Sequence, residues 1–209
     1  MVLKLGTTTG EIEASNVKTT TLVNANGETF GEWNLIEYTT VSSSKASHEI
    51  DISGSEYSAW DDIKIVGRNL SPVSDNVNLN FYVSTDSGST YKSSYKDLIW
   101  RSNAEVTTVE TFAYAPTRSA SELLQGVGND AWSNNNVEVT MFTPFHGLAD
   151  VTWLSVGCSW YQTGAAFNYA IGGAHCAVSS LDVTTVKFSW ASGNIDQGDF
   201  ASYGRKTTA

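Results

Sequence analysis

The run Asn76-Val77-Asn78-Leu79-Asn80-Phe81-Tyr82-Val83 decides the fold class of this chain. Its odd-numbered residues are all large and apolar, and three of its four even-numbered residues are asparagine. Successive side chains of an extended chain point to opposite faces. The strict period of two therefore predicts a β-strand with one face in the core and the other in contact with water.

The residues that follow this run predict a tight turn. Asp86-Ser87-Gly88-Ser89 combines a glycine, which adopts positive φ without steric cost, with an aspartate that can accept hydrogen bonds from its own backbone. We expect a returning strand to begin near Tyr91.

Similar short runs, rich in β-branched and aromatic residues and bounded by Ser, Gly, Asn or Pro, occur along the rest of the chain. Only Ser119–Gln125 has the pattern of a helical turn, with Ser119 or Ser121 as its cap and Gly126 or Gly128 at its end. Ten or so strands without recurring helices predict an all-β protein, an antiparallel β-sandwich that is jelly-roll-like. The further predicted strands are Trp33–Val41, Ser47–Ile52, Asp62–Gly67, Ser94–Trp100, Thr107–Tyr114, Val137–Phe142, Val151–Tyr161, Tyr169–Val178, Val183–Trp190 and Phe200–Gly204.

The first 31 residues differ in character from the rest. They are mostly Thr, Asn, Gly and Glu, with short extended pieces at Val2–Leu5 and Val17–Val23 and too few large apolar side chains to close a core. We predict that residues 1–31 form an extended N-terminal arm used for docking or oligomerisation. Residues 32–209 form the β-sandwich domain.

The composition fits a folded β-protein with a polar, weakly charged surface. Hydrophobic residues make up 41% of the chain and charged residues only 16%, while Ser, Thr and Asn supply 64 of the 209 residues. A disordered chain has few aromatics and high charge, and a coiled coil is rich in Ala, Glu, Lys and Leu. Both classes are excluded.

The charge balance argues against two classes of partner. The formal net charge is −10 and the sequence pI is about 4.6. Nucleic acids and anionic membranes both attract a positive surface, so neither is an expected partner. No apolar run reaches the ~18 residues of a membrane span, and the opening Met1–Leu5 is too short for a signal-peptide core. We expect no membrane insertion and no export through a cleaved signal.

Catalytic and nucleotide-binding motifs are not found. The sequence has no Gly-x-Ser-x-Gly and no phosphate-binding Gly-x-x-x-x-Gly-Lys-Ser/Thr. Residues 126–131, Gly-Val-Gly-Asn-Asp-Ala, match the dinucleotide pattern, but no strand precedes them and no long helix follows them. We interpret this stretch as a surface loop, and we expect no cofactor.

The cysteines and histidines do not form a convincing metal site. Cys158 and Cys176 would be cross-strand neighbours if the two strands that carry them formed a hairpin, with His175 nearby. Zinc needs a fourth ligand, and adjacent residues of a strand point to opposite faces. Buried free thiols are therefore favoured, with a disulfide and a structural metal as the alternatives.

Two close pairs of carboxylates are candidates for glycoside hydrolysis, Asp61 with Asp62 and Asp196 with Asp199. Both pairs lie in turn-like sequence, where acids normally accept hydrogen bonds from the backbone and from water. We interpret them as solvated turn acids, and we predict a protein that is not an enzyme.

Trp132 is the aromatic residue with the strongest case for a binding role. It lies in a loop rich in amide and carboxylate groups, together with Asn129 and Asp130. Sugar recognition combines a flat apolar ring with planar hydrogen-bonding groups, so these three residues are candidate glycan contacts. The alternative is packing of the ring at the end of the sandwich or at a subunit interface. We expect Trp60 to cap the core. Trp153, Trp160 and Trp190 are expected in the core, on strands.

The C-terminal stretch Leu181–Gly204 resembles a pattern of tailed-bacteriophage virion proteins. A strand that ends in aromatics, Phe188-Ser189-Trp190, leads into Ser192-Gly193-Asn194-Ile195. A last strand then closes with Tyr203-Gly204 and a basic residue. Upstream segments are similar in the same order, so that the resemblance covers about residues 33–206. Because serine, glycine and asparagine suit a hairpin turn, we expect the flanking aromatics to pack across the two paired strands.

The resemblance implies a structural role. Members of this family are jelly-roll modules of tail fibres, tail tips or capsid-surface decorations, and the motif carries no catalytic residue. It implies a non-enzymatic virion protein on the surface of the phage particle, made in the host cytoplasm. Its partners would be itself, as a homotrimer or other multimer, and other capsid or tail proteins. The alternative is a host-receptor module for attachment to a surface glycan, with its site near Trp132.

Overall fold

The computed structural model describes residues 32–103, 112–129, 135–161 and 166–207. The described residues form a nearly all-β protein with one short helix, α1 (Ser55–Ser58). The predicted arm, residues 1–31, and the loop residues 130–134 lie outside the described residues. The strands are β1 (Asn34–Val41), β2 (His48–Asp51), β3 (Asp62–Pro72), β4 (Val77–Ser84), β5 (Tyr95–Asn103), β6 (Phe112–Arg118), β7 (Ser121–Val127), β8 (Asn135–Phe142), β9 (Asp150–Tyr161), β10 (Ala166–Ala177), β11 (Thr185–Trp190) and β12 (Ile195–Arg205).

The strands form two antiparallel sheets packed face to face. The smaller sheet has the order β2-β11-β4-β7, and the larger has the order β1-β12-β3-β8-β9-β10-β5-β6. Among the described residues, the two sheets join where Val127 of β7 pairs with Tyr161 of β9. The predicted antiparallel β-sandwich is therefore confirmed.

The strand order is that of a jelly roll. Of the eight strands β1, β2, β3, β4, β7, β8, β11 and β12, the first pairs with the last, the second with the seventh, the third with the sixth and the fourth with the fifth. This nested pairing arises when one long antiparallel ribbon rolls up into two sheets. The remaining strands are two insertions, β5 with β6 and β9 with β10. They extend the larger sheet beyond β8.

Aromatic rings fill the space between the two sheets. The deciding run behaves as predicted, because the apolar side chains of β4 are all buried and the intervening side chains are only partly buried. Phe81 of β4 lies 5.1 Å from Phe188 within the smaller sheet and 5.4 Å from Trp153 of the larger sheet, between ring centroids. Phe188 in turn lies 5.1 Å from Phe200 of β12. These contacts join the two layers.

The inserted strand β5 closes over the smaller sheet. The backbone N–H of Val83 donates to the hydroxyl of Tyr95 over 3.0 Å, and the Tyr95 ring lies 6.0 Å from that of Trp153. The backbone N–H of Glu122 donates to Oδ2 of Asp97 over 3.1 Å. Burial raises the pKa of the Asp97 carboxyl. The larger sheet thus curls around the edge of the smaller one, so one face of β5, β9 and β10 is buried and the other faces outward.

Two local predictions are wrong. Ser119–Gln125, expected as a helical turn, belongs largely to strand β7, because its backbone pairs with β4. The turn at Asp86–Ser89 exists, with Gly88 at φ 78°, but no hairpin follows it. β5 begins at Tyr95 and pairs with β10 and β6 of the other sheet. In both places, backbone pairing with strands distant in sequence determined the structure, and the local sequence pattern did not.

The predicted hairpin turn at Ser192–Asn194 is also wrong. Gly193 has the expected positive φ, 74°, but β11 and β12 do not pair with each other. The loop carries the chain from the smaller sheet to the larger one. Phe188 and Phe200 do meet, across the two layers and not across paired strands. Tyr203 lies on the opposite face of β12, beside Lys64.

Candidate interaction surface

The predicted glycan contacts are only partly described. The side-chain amide of Asn129 donates to the carbonyl of Val73 over 2.9 Å, so this amide ties its own loop to the end of β3. Trp132 and Asp130 lie outside the described residues. The hydrogen bond gives the Asn129 amide a structural use, and glycan contact by these three residues stays a prediction.

Asp61 and Asp62 are not the solvated turn acids that we expected. Both are buried, and both hold the C-terminal end of the chain. Asp61 Oδ2 accepts from the backbone N–H of Thr207 over 2.7 Å and from its hydroxyl over 3.1 Å. Asp62 Oδ2 accepts from Nη2 of Arg205 over 2.6 Å and from its Nε over 3.2 Å. Acids occupied in this way fasten β12 to the start of β3.

The second acid pair lies on β12 and not in a turn. Asp196 is exposed, and Asp199 is partly buried. Asp199 Oδ1 accepts from the hydroxyl of Thr40 over 2.8 Å, and this hydrogen bond holds the pKa of the Asp199 carboxyl below its ordinary value. A depressed pKa keeps the group ionised and does not suit a general acid at neutral pH.

The cysteines are both free, as favoured, but only Cys176 is buried, and the two are not neighbours. β9 and β10 form the expected hairpin, in a register that pairs Cys158 with Tyr169 and Cys176 with Val151. The two thiols are thus seven pairs apart along the hairpin and cannot form a disulfide. His175 is partly exposed, whereas Cys176 is buried, as expected for adjacent residues of a strand. Within the described ranges, no group of three or more His, Cys, Asp or Glu side chains could hold a metal ion.

The unexpected feature is an apolar surface on the outward face of the inserted strands. Ile171 of β10 lies between Trp100 of β5 and Val156 of β9. In the next row, Gly173 lies between Leu98 and Leu154. All five large side chains are substantially exposed, from 36% for Trp100 to 54% for Leu154. We call Leu98, Trp100, Leu154, Val156 and Ile171 the outer apolar face.

A groove continues this face toward the N-terminus of the described chain. It has a volume of about 290 Å³ and shares Leu154 and Val156 with the outer apolar face. Phe142 and Trp33 contribute further apolar side chains, and Glu138, Thr140 and Arg205 also line the groove. The outer apolar face therefore adjoins a partly polar groove that reaches the residue preceding β1.

The cations beside the groove fix the position of Trp33. Nζ of Lys64 and Cζ of Arg205 each lie 4.6 Å from the centroid of its ring. Lys64 also lies 3.9 Å from Glu138 Oε2, and Arg205 pairs with Asp62. Because both cations have anionic partners, they add little net charge to the groove. Their contacts with the ring hold Trp33 against the outward face of the larger sheet.

The sequence contains a signal for this surface that our prediction of a strand at Val151–Tyr161 did not use. In Val151-Thr152-Trp153-Leu154-Ser155-Val156, large apolar residues occur at both odd and even positions. A strand with this pattern either is buried on both faces or has one face that contacts a partner. The structure shows one face buried, with Val151 and Trp153, and the other exposed, with Leu154 and Val156.

Comparison with protein-family models, with curated proteins and with solved structures found no match for this chain. Among the residues that the structure describes, no helix has the length and apolarity of a membrane span.

Proposed function

We propose that this protein is a non-enzymatic structural module of a bacteriophage particle, displayed on a tail fibre, a tail tip or the capsid surface, and that it assembles as a multimer. The outer apolar face carries the assembly part of this proposal. Contiguous apolar patches on soluble proteins mark interaction sites, because exposing them to water costs free energy.

The position of the face supports an assembly role. The eight strands of the jelly roll form the two-layered core, and β5, β9 and β10 are insertions that extend one layer beyond it. Their inner faces contribute buried side chains such as Tyr95 and Trp153. The outward-facing side chains of these strands do not contribute to the core, so the fold does not need them to be apolar. Contact with another molecule explains why Leu154, Val156 and Ile171 are apolar and exposed.

The assignment to a phage particle is supported by the sequence motif at residues 181–204. The jelly roll agrees with it, since this architecture is common in viral capsid proteins, but it also occurs in lectins and cupins. The non-enzymatic part is supported by the use of Asp61 and Asp62 as fasteners of the last strand.

Two measurements test the proposal. Light scattering coupled to size-exclusion chromatography of the full chain is expected to give a multimer, with a trimer as the leading expectation. Antibody labelling and quantitative mass spectrometry of purified phage are expected to find the chain on the particle, in tens of copies for a tail and hundreds for a shell. A chain that stays monomeric at every concentration, or that purified particles lack, would overturn it.

A further inference from the structure

The outer apolar face is too small to join two sandwich domains on its own. Stable interfaces between folded proteins bury about 800 Å² on each partner and involve some 20–30 residues a side. The face offers five large side chains in two rows, extended by the groove. An extended segment needs only a strip of this width, because it contacts the surface along its length.

The N-terminal arm has the composition of such a segment. It carries two lysines and three glutamates, so nine of the ten net negative charges of the chain belong to residues 32–209. Two sandwich domains repel each other, whereas a nearly neutral arm meets little repulsion. The apolar residues of its two extended pieces are Val2, Leu3, Leu5, Val17, Leu22 and Val23.

The start of β1 places the junction with the arm at one end of the larger sheet. Asn34 pairs with Gly204 near the end of β12, and Trp33 lies against Arg205 at the same end of the sheet. The arm therefore joins its domain beside the groove that Trp33 lines. Thirty-one residues span up to ~100 Å when extended. The face from β8 to β5 is three strand spacings wide, ~15 Å. An arm of this length can therefore extend from its own domain and still cross the face of a neighbouring one.

We infer that residues 1–31 of one copy lie across the outer apolar face and groove of a neighbouring copy. The inference rests on the proposed multimer and names the contact that holds it together. Each copy then donates one arm and receives one, a heterologous contact that forms a ring when the rotation between copies closes. Trp33 marks where one arm departs and stands beside the groove that receives the next.

Cys158 allows a direct test on the full chain. It lies two residues after Val156, on the same face of β9, and it is only partly buried, whereas Cys176 is 2% exposed. A benzophenone maleimide will therefore attach to Cys158 in the folded protein. We would mix ¹⁵N-labelled and unlabelled copies, then dissociate and reassemble them. Cys158 would next be labelled with a substoichiometric amount of the benzophenone maleimide. After irradiation, mass spectrometry would identify the cross-linked peptides.

The expected products join Cys158 to peptides from residues 1–31, with heavy–light pairs present. Arm peptides joined only within the same copy would overturn the inference, because the arm would then cover its own domain. Cross-links only to residues 32–209 of another copy, or no arm cross-links in a multimer, would also overturn it while leaving the proposed function in place. A monomeric chain without arm cross-links would overturn both.

A matched pair of variants tests the energetics. Leu154→Gln replaces a residue of the outer apolar face that is 54% exposed, and Leu181→Gln replaces one that is 52% exposed and lies in the loop before β11. We expect Leu154→Gln to weaken self-association at least tenfold and Leu181→Gln to leave it unchanged. Near-UV circular dichroism and the melting temperature report whether each variant is folded. Equal association constants for two folded variants would overturn the inference.

Discussion

His48 should make the fold sensitive to mild acid. Its side chain is buried between the sheets and stacks on Phe200, with ring centroids 4.1 Å apart and an interplanar angle of 14°. Burial, with a smaller contribution from the positive charge of Lys45, lowers the pKa of His48 to about 4, against the opposing carboxylates of Glu37 and Glu49. The ring is therefore neutral in the folded protein at neutral pH.

The sign and size of the effect follow from the two pKa values. In the unfolded chain the pKa of His48 returns to its ordinary value of 6.5. As the pH falls below 6.5, His48 binds a proton in the unfolded state, whereas in the folded state it does so only near pH 4. Stability is thus fully present above pH 6.5 and is lost between pH 6.5 and about 4. With ~1.4 kcal/mol for each pKa unit, the loss is about 2 kcal/mol at pH 5 and approaches 3 kcal/mol at pH 4.

Urea unfolding at pH 7.5 and pH 5, followed by tryptophan fluorescence, measures this loss. His48→Phe keeps a flat ring against Phe200 and removes the titrating group, so its unfolding free energy should fall by about 2 kcal/mol less than that of the wild type over this range. His146→Gln changes an exposed histidine and should keep the wild-type pH dependence. If His48→Phe and the wild type lose the same amount between pH 7.5 and pH 5, the reasoning is refuted.

Three further outcomes are expected. Gly204→Ala should lower the free energy of unfolding by about 1–3 kcal/mol in urea titrations, because a Cβ at this position would overlap the ring of Trp60. Asp62→Asn should lower it by about 2 kcal/mol in the same assay, because the variant loses the charged hydrogen bonds from Arg205. In thiol titrations the native protein should show one reactive group, with Cys176 reacting only after unfolding, because burial raises the pKa of this thiol to about 11.

Each of these outcomes has a control. Gly173→Ala adds the same methyl group where the nearest atom is the flexible end of Leu154, 3.3 Å away, and should change stability by no more than about 0.5 kcal/mol. Asp196→Asn removes a charge from an exposed position of the same sheet and should be similarly mild. Stabilities of Gly204→Ala or Asp62→Asn that match their controls would contradict the packing and ion-pair arguments. Two thiols that react equally fast in the folded protein would contradict the burial of Cys176.

The strands were predicted well where the period of two was clean. β4, β8 and β11 lie within a few residues of their predicted limits, because apolar and polar side chains alternate over most of each strand. Thr107–Tyr114 was less successful, since the described strand is Phe112–Arg118 and residues 104–111 lie outside the described residues. The four-residue helix α1 was not predicted, because one turn of helix has no periodicity to detect.

Pairing partners were predicted poorly, for a physical reason. The turns after β4 and after β11 have the glycines of hairpins, and those glycines do adopt positive φ. A turn fixes only the local direction of the chain, whereas the partner of each strand is set by which faces can be buried together. In this protein the nested pairing of the jelly roll sends both turns across to the other sheet. Cys158 and Cys176 were misplaced for a related reason, since their separation depends on the register of the hairpin.

What the sequence determined by itself is the fold class and the chemical character of the surface. Alternation in single strands predicts a sandwich, and low charge with many Ser, Thr and Asn residues predicts a polar, weakly charged exterior. Only the tertiary structure decided which apolar residues stay in water. Leu154 and Trp153 are neighbours in sequence with similar hydrophobicity, yet one is 54% exposed and the other 1% exposed. A strand has two faces, and the side on which the second sheet packs determines which face becomes core and which becomes a surface for another molecule.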